Sequence, residues 1–193
     1  QLALHDTDPE RLMAFGIAGL SVAADSLSAI KYATVKPIRN EKGVAIDFET
    51  IGEFPKYGND DNRADDLAVN IVTRFIKELK KHKLYRNAVH TLSVLTITSN
   101  VMYGKNTGAT PDGRRAGEPL SDAASPTYGR DRKGATGTLL SVSKPDYTRC
   151  ACGTVVNQKY SPAMFEDGKR EKLAALIRVY FAKGGQEIQI NAT

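Results

Sequence analysis

Tryptophan is absent from the sequence, and cysteine and histidine are scarce: two and three residues among 193. Each scarcity excludes a class of protein. The two cysteines, Cys150 and Cys152, stand one residue apart. A disulfide across a single residue is strained, so they make no framework for a small secreted domain. The histidines, His5, His82 and His90, include no i, i+4 pair that would face one metal from a helix. Long apolar runs are missing too. The longest, Leu12 to Ala24, is cut off by Asp25 and falls well short of the roughly 20 residues a spanning helix needs. No basic region followed by an apolar core and a small-residue cleavage site opens the chain. These absences lead to the expectation of a cytoplasmic protein with no membrane association.

Charge of one sign is also modest. Lysine and arginine total 27 against 22 aspartates and glutamates, a net charge of +5. Spread over this length, that is far from a nucleic-acid footprint, and no tyrosine platform interleaved with basic residues supports one. What is present is ordinary globular composition, 41% hydrophobic and 25% charged, which argues against disorder. The length allows one large or two small domains. The chain starts at Gln1 and ends in an alternation, Gln-Ile-Gln-Ile-Asn-Ala-Thr, that reads as a strand just begun. The expectation is a piece of a longer protein.

Asp8-Pro9-Glu10 has the chemistry of a helix start: a cap, a proline at the first helical position and an acid at the positive dipole end. The pattern predicts a helix over Arg11–Ala33, apolar on nearly every face and therefore buried on several sides. Residues 35–50 predict a hairpin turning at Asn40-Glu41-Lys42-Gly43. Asp65–Lys83 predicts an amphipathic helix, with Leu67, Ile71, Val72, Phe75, Ile76 and Leu79 on one face. The lysines at 77, 80, 81 and 83 suit its negative end as a solvated face, or form an anion patch. Strands are predicted at 92–98, 137–142, 154–160 and 187–191, and a helix over Arg170–Lys183 stopped by Gly184-Gly185. A long polar stretch, 99–136, reads as a functional or disordered loop. Helix and strand alternate in the second half, so the fold class is α/β.

Few residues suggest chemistry. Pro111-Asp112-Gly113 is a turn by its own composition, and Arg114 and Arg115 follow it. Paired arginines on a Gly-rich loop clamp a carboxylate or phosphate, or anchor the loop to carboxylates on neighbouring elements. The glycine spacing matches neither a P-loop nor a dinucleotide fingerprint. His5, beside Asp6 and Asp8, is oriented for proton transfer or is a surface residue before the helix. His82 and His90 are expected on the surface. Cys150 and Cys152 are a metal half-site, a redox pair or simply reduced thiols. No nucleophile–base pair, metal site or cofactor fingerprint emerges.

Several long runs nevertheless resemble one family. His5-Asp6, the segment Gly16–Tyr32 (GIAGLSVAADSLSAIKY), VKPIRNEKGVAIDFE (35–49), YGNDDNRADDLAV (57–69) and SVLTITSNVMYGKNTGATPDGRRAGEPL (93–120) are similar to pyruvate formate-lyase, formate C-acetyltransferase. GTVVNQKYSP (153–162) and LAALIRVYFAKGGQEIQIN (173–191) resemble the wider glycyl radical enzyme family, in places its diol-dehydratase-like members. The resemblance implies part of the ten-stranded α/β barrel of those enzymes, incomplete over 1–193. It implies that a pair of adjacent active-site cysteines lies upstream of Gln1. The glycyl radical domain, with a motif of the type Arg-Val-Ser-Gly-Tyr, is placed beyond Thr193, so no catalytic residue or metal ligand is expected in this chain.

The chemistry implied is radical cleavage of pyruvate. A glycyl radical generates a thiyl on cysteine, the thiyl attacks the carbonyl, and formate and an acetyl-enzyme result. Coenzyme A then takes the acetyl group, in anaerobic glucose fermentation. No permanently bound cofactor is implied. The implied partners are pyruvate, coenzyme A, a radical-SAM activating enzyme and a second copy in a homodimer, with no nucleic acid or membrane. By the same resemblance His5 lies near coenzyme A and assists its thiol, while Arg114 and Arg115 anchor a loop near the barrel mouth or bind an anion. The isolated chain is expected to be inactive. A fragment of a dehydratase-like radical enzyme and a stand-alone binding module are the alternatives.

Overall fold

A computed structural model of the protein describes residues 10–166 and 168–192. Four short strands run parallel. Strand β1 (Leu12–Gly16) pairs with β4 (Val89–Ser93), Leu12 opposite Val89 and Gly16 opposite Ser93. Strand β5 (Val155–Tyr160) pairs with β6 (Glu187–Ala192), Val155 opposite Glu187 and Tyr160 opposite Ala192. A single parallel bridge, Val94 to Thr154, joins the two pairs, so the spatial order is β1-β4-β5-β6. Parallel neighbours need crossover connections, and helices occupy them. An antiparallel hairpin, β2 (Thr34–Arg39) and β3 (Ala45–Ile51), stands apart and turns at residues 40–44 as its sequence predicts.

Helix α1 (Leu20–Tyr32) packs along α2 (Asn62–Leu79). The contact face of α2 carries Ala64, Ala68, Val72 and Ile76, four residues apart and all buried. Small residues at its start let the helices approach closely. Asp61 caps α2, its carboxylate accepting the Arg63 N–H at 3.0 Å. Helix α5 (Arg170–Ala182) leads through Gly184, at φ 97°, into β6. The core joins Leu20, Val72, Ile76, Leu92, Val94, Leu139, Val142 and Val156 with the buried tyrosines Tyr57, Tyr147 and Tyr180.

Three predicted elements are corrected. Residues 12–16 are a strand, not the first turns of a long helix. The break is at Gly19, whose φ of 81° is left-handed and interrupts any helix, and Arg11 O accepts the Val89 N–H at 2.7 Å to start the parallel ladder. The proposed start at Asp8-Pro9 lies outside the described residues. Residues 137–142 belong to helix α4 (Gly134–Val142), although Thr, Leu and Val there suggest a strand. Tertiary packing overrides propensity: Gly137 sits against the Asn59 backbone, and Ser141 reaches Asp65 on α2 at 2.9 Å. The strand predicted at 92–98 begins earlier and ends at Ser93, after which helix α3 (Ser99–Lys105) opens the long polar stretch.

Candidate functional site

A cleft of about 1190 Å³ opens at the carboxyl end of β5. Ligands of parallel α/β sheets gather at that end of the strands. One wall is Asn157 to Tyr160 of β5; the other is loop 106–133, through Arg114, Leu120, Asp122 and Arg130. Asp122 ties the walls together, its Oδ1 accepting from Thr96 Oγ1 and its Oδ2 from Asn157 Nδ2, both at 2.6 Å.

The two predicted arginines part company. Arg114 is 4% exposed and lines the cleft. Its Nη1 donates to the carbonyls of Glu118 at 2.6 Å and Arg115 at 3.0 Å, and its Nη2 donates to those of Thr107 and Gly108. Its guanidinium thus closes loop 107–118 on itself through backbone carbonyls rather than through carboxylates of other elements. Arg115 points outward and lies away from the cleft, its N–H donating to Glu118 Oε2 at 3.0 Å. The structure does not bring the two guanidinium groups to one site.

A third arginine, which spacing alone does not single out, holds two buried carboxylates. Arg130 Nη1 donates to Asp25 Oδ2 at 2.9 Å and to Asp112 Oδ2 at 2.5 Å, and Nη2 donates to the Asp112 carbonyl at 3.0 Å. Both aspartate side chains have 0% exposure. Tyr57 N–H donates to Asp25 Oδ1 at 2.7 Å, and Ser26 Oγ donates to Asp112 Oδ1 at 3.2 Å. Burial pushes the Asp25 carboxyl up to about 6, against the Tyr57 and Arg130 hydrogen bonds that favour its anion. Burial opposes the charge of Arg130, but the two carboxylates outweigh it and its pKa is raised. A comparable knot joins α4 to α2, where Lys144 Nζ reaches Asp65 at 2.6 Å and Asp60 at 2.8 Å. The available signal for the first knot is Asp25 itself, an acid among the small apolar residues of α1, which demands a buried partner.

His5 lies outside the described residues. His82 is exposed as expected, but His90 is half-buried on β4 and stacks on Phe15 with ring centroids 5.9 Å apart. Cys150 is buried and Cys152 exposed, both free, and burial pushes the Cys150 thiol up. Among the described residues no group of three or more His, Cys, Asp or Glu is placed to hold a metal, and no helix is long and apolar enough to cross a membrane. The walls of the cleft carry hydrogen-bonding side chains from β5 and from loop 106–133.

Known proteins agree with this architecture. A family model described as pyruvate formate lyase-like matches residues 1–104, and one described as glycine radical matches 120–193. The chain therefore reaches into the glycine radical region, although no Arg-Val-Ser-Gly-Tyr motif occurs in its sequence. The PFL-like enzyme TdcE of Escherichia coli K12 is 54% identical over 98% of the chain. The glycerol-bound B12-independent glycerol dehydratase of Clostridium butyricum superposes with a TM-score of 0.81 over 95% of the chain at 30% identity. Hydroxyproline dehydratase of Clostridioides difficile gives the same TM-score at 26% identity. The chain spans about a quarter of each relative's length, 26% of TdcE and 25% of both dehydratases. The parallel strands and their helices are an incomplete portion of the α/β barrel of these enzymes. The chain belongs to the pyruvate formate lyase-like family and is part of a glycyl radical enzyme.

Proposed function

We propose that the intact enzyme is a formate C-acetyltransferase, converting pyruvate and coenzyme A to acetyl-coenzyme A and formate in the cytoplasm. The observation that carries this reading is the 54% identity to a PFL-like enzyme across 98% of the chain, against 30% to the glycerol dehydratase. In this reading the intact enzyme is a homodimer that a radical-SAM partner activates. The chain contributes His5 near the coenzyme A thiol and the Arg114-braced loop of the cleft. A second reading, dehydration of a small diol, is favoured by the TM-score of 0.81 with the glycerol dehydratase.

The deciding experiment uses the intact enzyme, activated anaerobically, with pyruvate plus coenzyme A in one assay and glycerol or 1,2-propanediol in another. Formate and acetyl-coenzyme A are expected only from the first. An aldehyde from a diol, with no formate, would replace the proposal by the second reading. His5→Ala is expected to slow acetyl transfer to coenzyme A by about 100-fold, the low end of a general-base contribution. Exchange of labelled formate into pyruvate, which needs no coenzyme A, should be retained.

A further inference from the structure

Arg130, Asp25 and Asp112 unite parts of the chain that lie far apart in sequence. Asp25 and Ser26 come from α1, and Tyr57 from the segment before α2. Asp112 comes from the turn after Pro111, and Arg130 from the far end of loop 106–133. Both carboxylates meet the same guanidinium nitrogen, so with both ionised the cluster is buried with one negative charge unmatched. A proton on one carboxylate balances it. Asp112 accepts the Thr110 and Ser26 hydroxyls on Oδ1 and Arg130 on Oδ2, whereas Asp25 accepts the Tyr57 N–H on Oδ1 and Arg130 on Oδ2, with only a 3.5 Å contact from Ser21 Oγ besides. Asp25, with fewer short donors and a carboxyl that burial pushes up, is the one that takes the proton.

We propose that Asp25, Arg130 and Asp112 form a proton-dependent clamp that positions the loop wall of the cleft against α1. Arg130 lines the cleft, and Asp112 fixes the turn that leads into Arg114. Opening the clamp moves that wall. Arg130 and Asp112, both from the loop, are the charged groups that bear directly on Asp25. Its own helix presents the Ser21 hydroxyl, and the 53–61 segment presents the Tyr57 N–H. Helix α2, packed on α1, brings Asp65, which Lys144 and Ser141 already hold.

The direction of the pH effect is fixed. In the closed clamp the Asp25 carboxyl titrates near 6, against the ordinary 3.8 once water reaches it. The closed state thus binds the proton more tightly. Its advantage is full below the ordinary value, declines as pH rises through the interval, and is constant above about 7. Between about pH 5 and about pH 8 the opening constant rises about tenfold.

Hydrogen exchange on the intact enzyme, which needs no radical and no substrate, reads this directly. After correction for intrinsic rates, amides of 106–133 should lose about tenfold protection between those pH values, while those of α5 hold steady. Asp25→Asn keeps an oxygen for the Tyr57 N–H and removes the titration, so its profile should be flat. A flat wild-type profile, or an unchanged tenfold slope in Asp25→Asn, would overturn the clamp. Should Asp25→Asn fail to fold, Asp112→Asn decides. It leaves Asp25 alone with Arg130, and the slope must shrink; an unchanged slope again overturns the clamp.

Discussion

Gly104 stands where a side chain has no room. A Cβ there would lie 2.3 Å from the Glu118 carbonyl oxygen, 2.6 Å from Pro119 Cα and 2.9 Å from Leu120 N. All three are backbone atoms, and Asn100 pins that backbone, accepting the Leu120 N–H at 3.1 Å and donating to the Leu120 carbonyl at 3.2 Å. The contact cannot relax by a rotamer change, so Gly104→Ala must separate α3 from the cleft wall. A loss of about 3 kcal/mol is expected, the upper end of ordinary overpacking. Gly108→Ala is the control: nothing lies within 4 Å of its Cβ position and no left-handed φ is involved. Urea denaturation of the intact enzyme should show a lowered midpoint for the first variant and almost none for the second. Equal midpoints would mean that α3 and residues 118–120 are not held together as described.

At the scale of elements, caps and periodicity govern what can be anticipated. Asp61 accepts the Arg63 N–H, and its carboxylate pairs with the Arg63 guanidinium at 2.7 Å. The Arg63 hydrogen bond holds the Asp61 carboxyl below its ordinary value. Its support for α2 is thus present at neutral pH and is lost as pH falls through that lowered value. Asp61→Ala is expected to destabilise the enzyme by about 1 kcal/mol. Asp61→Ser, which retains a capping oxygen, should recover most of the midpoint; no recovery would shift the role from the cap to the ion pair. Helix α2 was legible because its apolar residues repeat every three or four positions, and β5, β6 and the hairpin because turn residues bound them. Strand β1 was not, because Leu-Met-Ala-Phe-Gly runs into α1 without a polar break and only a left-handed Gly19 divides them. Helix α4 was hidden by β-branched content, and its state is decided by contacts with α2 and residue 59. The Asp25–Arg130 pair spans 105 positions, so no local pattern contains it.

Among the described residues the chain is a barrel segment whose outer strands, β1 and β6, each leave one edge unpaired, and its exposed surface reflects that. Parallel sheets are ordinarily covered on both faces, and their edges are paired or protected. Here β1 and β6 each have one neighbour among the described strands. Leu12 is 53% exposed on β1 and Val89 is 49% exposed on β4. On the helical side Leu27, Ile71 and Phe75 line a smaller cleft of about 520 Å³ between α1 and α2. Unpaired backbone donors and acceptors beside apolar side chains are a template for another strand. The 193-residue chain made alone should therefore self-associate and bind a hydrophobic dye, and it should show no turnover of pyruvate with activator and coenzyme A. Light scattering after size exclusion measures the first, and dye fluorescence the second. Met13→Lys places a charge on the exposed edge strand and should reduce the associated fraction if the β1 edge drives association. An equal reduction from Phe75→Lys alone would locate it on the α1–α2 surface instead. A monodisperse monomer that leaves the dye dark would show that these edges are protected without the rest of the barrel.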